Sequence, residues 1–202
     1  MTSIYKAWLM NYSPAWYALG KSAQDELMGK VGASLNKVGG RVLLIAASLW
    51  ADEKWAAWGV EEYPNIDAVI QHAQTIGDFH WFRYTKAWTT LGISWEPDAK
   101  VVVPEAPIYR LAFFNATEDH YLLSKDDNDR WDQKHEGLYK EFGGQTFLGC
   151  NAFWCNEEWP LWLVEAYPSL EAVQGFRSKV YEAGWYRYVT ATSLLGVKYP
   201  ME

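Results

Sequence analysis

Cysteine is scarce in this chain: Cys150 and Cys155 are the only two in 202 residues. Two thiols cannot build a disulfide framework. Five extended residues would hold them roughly 16 Å apart, beyond the roughly 7 Å between Cα atoms that a bridge tolerates. No bridge is expected, and a reducing cytoplasm is the natural compartment. With four scattered histidines, no zinc-type cluster is visible. No apolar run approaches the roughly 20 residues of a membrane span, and the N-terminus lacks an apolar block with a small-residue cleavage site. Positive charge is also short: 18 Lys and Arg face 25 Asp and Glu, a net charge of −7. Phosphate neutralisation needs clustered cations, so nucleic acids and anionic membrane surfaces are excluded as partners. No phosphate-binding Gly loop, Rossmann fingerprint, nucleophile elbow or HExxH is present.

What the chain does have is rings: 13 Trp, 13 Tyr and 8 Phe, within a composition that is 50% apolar. Aromatics bring large buried area, and Trp and Tyr add a polar handle, which suits an aromatic core or a ring-lined pocket. The chain also repeats itself. Residues 4–93 align without a gap on 108–197, at an offset of 104, with 27 identities in 90 positions; composition alone gives about 6%. Gly39-Gly40 meets Gly143-Gly144, Glu61 and Tyr63-Pro64 meet Glu165 and Tyr167-Pro168, and Arg83-Tyr84 meets Arg187-Tyr188. Periodicity of this kind is the signature of a tandem architecture.

Each copy reads in the same order. Strands are expected at 4–10 and 108–114, then helices at 16–37 and 120–141 ended by the Gly pair. Strands at 41–50 and 145–154 turn tightly into strands at 55–62 and 159–166. Helices follow at 65–77 and 169–182, with Asn65 and Ser169 as N-caps, and final strands at 79–90 and 184–194. The order is βαββαβ, a ferredoxin-like unit. Its sheet carries helices on one face and must bury the other. The expected architecture is α+β: two ferredoxin-like repeats, 1–93 and 108–202, packed sheet-to-sheet as one pseudo-two-fold barrel. The proline-bearing segment 94–107 serves as linker, with room for a short extra strand.

This order, the unit length and the duplication resemble the dimeric α/β-barrel superfamily in a tandem, single-chain form. The resemblance covers nearly the whole chain and rests on no catalytic motif. It implies a small molecule bound between a sheet and its surroundings or inside the barrel. The superfamily includes cofactor-free monooxygenases, polyketide cyclases, muconolactone-type isomerases, and haem enzymes such as chlorite dismutases and aldoxime dehydratases, so fold does not name the function. Its haem-degrading monooxygenases use an Asn on the first strand with a Trp and a His on the second helix. Asn11, Trp58 and His72 match that set in kind, although the Trp and His spacing departs from it.

Candidate residues follow from comparing the copies. Among shared polar positions, Glu61 and Arg83 flank the first strand and suit either a structural ion pair or a pair that orients substrate. Asn11 suits a turn cap or an amide donor. Positions that differ between copies mark a specialised site. Strand alternation puts His80, Phe82, Tyr84, Lys86 and Trp88 on one face of 79–90, where the second copy has Gly184, Tyr186, Tyr188, Thr190 and Thr192. On the first strand Lys6 and Trp8 meet Arg110 and Ala112, and Met10 meets Phe114; Asn151 replaces Ala47. His80 against Gly184 is the sharpest difference, an imidazole suited to general-base work or a merely solvated side chain.

The reading carried forward is an enzyme without metal or organic cofactor. It would act on a hydrophobic, aromatic or polyketide-like small molecule by acid–base chemistry, as a lyase, isomerase, cyclase or monooxygenase. His80 would move the proton, with Tyr84, Asn11 and a Glu61–Arg83 pair polarising the substrate. Lys6, Trp8, Phe82, Lys86, Trp88, Arg110, Phe114, Asn151 and Tyr188 would line its pocket. Two alternatives stand beside it: a haem enzyme of the same superfamily with His72 or another histidine as ligand, and a non-catalytic protein holding an apolar ligand between aromatic walls. Monomer and homodimer both remain compatible.

Overall fold

In the computed structural model, which describes residues 2–199, the chain forms an α+β barrel. The first half runs β1 (Ile4–Tyr12), α1 (Pro14–Tyr17), α2 (Lys21–Lys37), β2 (Arg41–Ala47), β3 (Ala57–Tyr63), α3 (Ile66–Asp78), α4 (Trp81–Tyr84) and β4 (Thr85–Ser94). The second runs β5 (Ile108–Ala116), α5 (Glu118–Tyr121), α6 (Lys125–Glu141), β6 (Gln145–Asn151), β7 (Leu161–Tyr167), α7 (Leu170–Glu182), a 3-10 turn (Trp185–Arg187) and β8 (Val189–Lys198).

Local chemistry accounts for most boundaries. Asn65 and Ser169 accept from the backbone N–H of Ala68 and Ala172 and start α3 and α7, as N-caps do. Gly39 and Gly143 adopt φ of 75° and 67° after α2 and α6, the left-handed stop that glycine makes without strain. Three expectations change. The long helices begin in two pieces, because Gly20 and Ser124 are extended (ψ 156° and 159°) and start α2 and α6 afresh. Residues 95–106 contain no strand; Val101, Val103 and Ala106 instead pack on the barrel core. The last strand of the first half begins at Thr85 rather than 79, because the chain reverses through His80 in the left-handed region, φ 57°, and then makes a helical turn.

All eight strands are antiparallel to their neighbours, in the closed order β1-β3-β2-β8-β5-β7-β6-β4. The two sheets close into one barrel by joining edge to edge, and their inner faces share a single core. β2 meets β8 at Ala46↔Lys198 and Ala47↔Val197, and β4 meets β6 at Ile93↔Asn151 and Ser94↔Cys150. Each open edge thus finds backbone partners, which removes edges altogether. Alternate residues of β1 and β5, namely Tyr5, Ala7, Leu9, Tyr109, Leu111 and Phe113, point into the barrel with Trp58 and Trp162. By area, each large aromatic buried there contributes at most about 4–6 kcal/mol. The opposite alternation, Lys6, Trp8, Met10, Arg110 and Phe114, faces the helices.

Glycines make the seams possible. A Cβ on Gly92 would lie 2.6 Å from the Cβ of Cys150 and 2.7 Å from Nε1 of Trp162. On Gly196 it would lie 2.7 Å from the Cβ of Ala46 and 2.9 Å from Nε1 of Trp58.

Candidate functional site

Between sheet and helices, each half buries a charged cluster. In the first, Lys6 Nζ lies 3.2 Å from Glu61 Oε2, Tyr63 donates its hydroxyl to the same oxygen at 2.6 Å, and the Tyr63 oxygen lies 2.7 Å from His72 Nδ1. His72 is 1% exposed. It faces inward because it shares one side of α3 with Ala68 and Ile76, four residues to either side. Tyr63 has one proton, and a carboxylate is the stronger acceptor. His72 therefore donates Nδ1–H to the Tyr63 oxygen, which leaves Nε2 as the bare nitrogen of the neutral ring. Burial disfavours the imidazolium and lowers its pKa, while Glu61 opposes that shift. Nε2 itself has no hydrogen-bond partner among the described residues. The Val31 backbone carbonyl on α2 lies near enough to the ring to favour its protonation.

In the second half Arg110 Nη1 holds Glu165 Oε2 at 2.6 Å, and Tyr167 donates to that oxygen at 3.0 Å. Arg110 is 1% exposed, and its Nε and Nη2 have no partner among the described residues. Burial, then the nearby Arg110, lower the Arg177 pKa to about 10. Here the position equivalent to His72 is Phe176, and the imidazole comes from the other helix: His135, at the position equivalent to Val31. Its ring packs 5.3 Å from Phe176 and 5.2 Å from Trp185, beside a shallow recess that it lines with Trp131, Leu138 and Val180. A different space, a solvent-open cleft of about 440 Å³, lies at the end of the barrel where β1 and β5 finish, walled by Trp55, Trp88, Phe113 and Trp159.

The expected site residues are distributed over several places. His80, Phe82 and Arg83 are exposed on the α3–α4 turn and on α4, Lys86 is exposed on β4, and Tyr84 is half-buried. The single strand face expected for them does not form, because a left-handed turn and a helix interrupt the alternation. Glu61 pairs with Lys6 rather than with Arg83, whose guanidinium lies over the Tyr84 ring. Asn11 accepts from Tyr12 N and donates to the Lys54 carbonyl, 3.4 Å away. Asn115 does the same work for Glu158, at 3.1 Å. Trp8 packs against Gly59 on the helix side. Phe114 lies under the Arg110 guanidinium and edge-on to Trp185. Asn151 accepts from Trp95 Nε1 outside the barrel, and Tyr188 packs on Trp131. Trp88 alone of the set reaches the cleft. Sequence reasoning misses Tyr63, Tyr167, Trp55 and Trp159, because identity between the copies reads as scaffold; the Glu-x-Tyr spacing, which puts both on one strand face, is the signal that could find the tyrosines.

No known family's sequence profile matches the chain, and no curated protein matches it by sequence. Solved structures do. A chlorite dismutase variant from Candidatus Nitrospira defluvii superposes with a TM-score of 0.82 over 99% of this chain and 93% of its own, at 9% identity. A haem-binding protein from Thermus thermophilus superposes with a TM-score of 0.75 over 98% and 92%, at 11% identity. At such identities the likeness establishes the fold, a ferredoxin-like α/β barrel of the chlorite dismutase kind. It also corrects the expectation of acid–base chemistry without metal or cofactor. The neighbours favour the haem alternative, and the catalytic set drawn for cofactor-free chemistry is not assembled: His80 is exposed in a turn while Glu61 is buried behind β1.

Proposed function

We propose that this chain is a haem-binding protein and that His72 supplies the iron ligand. One observation carries the reading: a buried, neutral imidazole whose Nδ1 is tethered through Tyr63 to Glu61 and whose Nε2 has no partner among the described residues. Iron-ligating histidines have their other nitrogen held by a carboxylate, directly or through a relay, which sets the tautomer and raises ligand basicity. The donor chemistry therefore fits. The space beside Nε2 is covered by α2, and α2 is lightly held: of its 17 residues only Ser34 and Leu35 are buried, and a Cβ on Gly29 or Gly32 would touch nothing. Opening a slot there requires α2 to move, and Leu27 and Val31 to leave their packing on Met10, Trp16, Ile76 and Trp81.

Bound haem supplies an iron centre that takes up small ligands. The chain's own residues do the rest. Tyr63, accepting from Nδ1 and donating to Glu61, would hold the proton on Nδ1 and fix the ring's tautomer, while Lys6 balances the Glu61 charge. Met10, Trp16, Ile76 and Trp81 form a dry apolar wall on the same side of the sheet, of the kind that lines small-molecule sites. The two halves, 1–93 and 108–202 joined by 94–107, are read as one duplicated unit in which only the first kept the ligand; the second filled the equivalent place with Phe176, Trp185 and Tyr139.

Titration of the purified protein with haem tests this. A Soret band saturating at one equivalent is expected for the wild type and for His135→Ala, and its loss or marked blue shift for His72→Ala with an unchanged far-UV spectrum. Absence of saturable binding by the wild type sinks the reading; an unchanged Soret band in His72→Ala removes His72 as ligand.

A further inference from the structure

The cleft at the barrel mouth lies apart from the His72 cluster, and the haem reading makes no use of it. Both halves build it from equivalent positions: Trp55 and Trp159 on the loops before β3 and β7, Leu9 and Phe113 at its floor. Trp88 adds a third indole, edge-on to Phe113 at 5.1 Å. Asn11 and Asn115 donate to the backbone of Lys54 and Glu158 and so pin both loops to the rim. The polar lining includes two carboxylates, Asp52 and Glu158, and one ammonium, Lys54. That ammonium lies over the Trp55 ring, 5.4 Å from its centroid.

A ring face is attractive to a cation through its quadrupole, and more so in a partly desolvated recess. Here the attraction is already in use by a tethered cation, in a cleft with one carboxylate more than the tether neutralises. We propose that this cleft is a binding site for a small organic cation, a quaternary or protonated amine bearing apolar groups. Its charge replaces the Lys54 ammonium over Trp55, its apolar groups pack on Trp88 and Trp159, and Asp52 and Glu158 balance it. An uncharged molecule of the same shape gains the packing alone. An anion meets the two carboxylates and is rejected.

The probes are choline and its uncharged isostere 3,3-dimethylbutan-1-ol, added to the full-length protein and followed by NMR on the indole N–H signals. Choline is expected to shift the Trp55, Trp88 and Trp159 signals saturably and to bind about tenfold tighter than the alcohol, the equivalent of about 1.4 kcal/mol. Lys54→Met removes the internal competitor and is expected to tighten choline severalfold. Asp52→Asn with Glu158→Gln is expected to weaken it about tenfold without affecting the alcohol. Equal affinity for the two probes, no saturable shift of these indoles, or a Lys54→Met variant that binds choline no better would each overturn the proposal. The result is independent of haem, because His72 is not changed.

Discussion

At position 80 the backbone must turn through the left-handed region to leave α3, and the equivalent residue, Gly184, does the same at φ 76°. Glycine reaches that region freely, whereas a side chain costs about 1–2 kcal/mol. The imidazole in one copy and glycine in the other is thus a difference in backbone strain rather than the mark of a catalytic base. His80→Gly is expected to leave stability unchanged or raise it by up to about 1 kcal/mol, since relief of strain is partly offset by the freer unfolded chain. Urea unfolding measures it, and a loss above about 1 kcal/mol contradicts this account. A second residue-scale contrast concerns the two ion pairs. Arg110 and Glu165 are both almost completely buried, so Glu165→Ala strands a guanidinium and is expected to cost about 3–5 kcal/mol. The joint replacement Arg110→Met with Glu165→Leu should recover most of that loss, and the same denaturation series decides it. That Glu61 and Glu165 matter was legible in their identity between copies. Their partners were not, because Lys6 and Arg110 lie 55 residues away in the chain.

At the scale of elements, helices of the same length class are held very differently. α3 buries Ala68, His72 and Ile76, and α7 buries Val173, Phe176 and Val180. α2 buries only Ser34 and Leu35, and α6 has no buried residue among those described. Local opening follows buried apolar contact, so amide exchange in α2 and α6 is expected to be faster than in α3 and α7. Equal protection of α2 and α3 would remove the argument that α2 lifts for a ligand. The seams behave oppositely. Gly196→Ala drives a methyl against Ala46 and Trp58, an overpacking expected to cost about 1–3 kcal/mol. For a chain of this size it should lower Tm by about 2–4 °C per kcal/mol. Calorimetry on Gly196→Ala and Gly92→Ala should give similar losses, because each glycine sits on the same kind of seam. Strand and helix order, the caps at Asn65 and Ser169 and the Gly-pair stops were all legible, since each depends on neighbours within four residues. The strand start at Thr85 was not, because the left-handed turn at His80 carries no glycine to announce it.

For the whole molecule, acidification should weaken the fold through His135. Burial lowers its pKa, as do Arg177 and Arg110, while Glu165 and Asp132 oppose the shift. The unfolded chain takes up a proton near pH 6.5 and the folded one only at lower pH, so stability is full above about 6.5 and falls as pH drops through that window. His135→Val, the residue of the equivalent position, should reduce the slope between about pH 6.5 and 5, with buried His72 supplying a remainder of the same sign; an unchanged slope assigns the acid sensitivity elsewhere. No helix among the described residues is long and apolar enough to cross a membrane. The repeat at offset 104, the βαββαβ order and the two-sided sheets followed from the amino-acid sequence alone, because periodicity, caps and alternation are written in residues close together. Only the tertiary structure decided that the sheets join at their edges, that His72 is buried with Nε2 lacking a hydrogen-bond partner among the described residues, and that Trp55, Trp88 and Trp159 share one cleft. Those facts depend on which distant segments meet, and packing between a strand, a helix and a loop from different parts of the chain has no signature in local spacing.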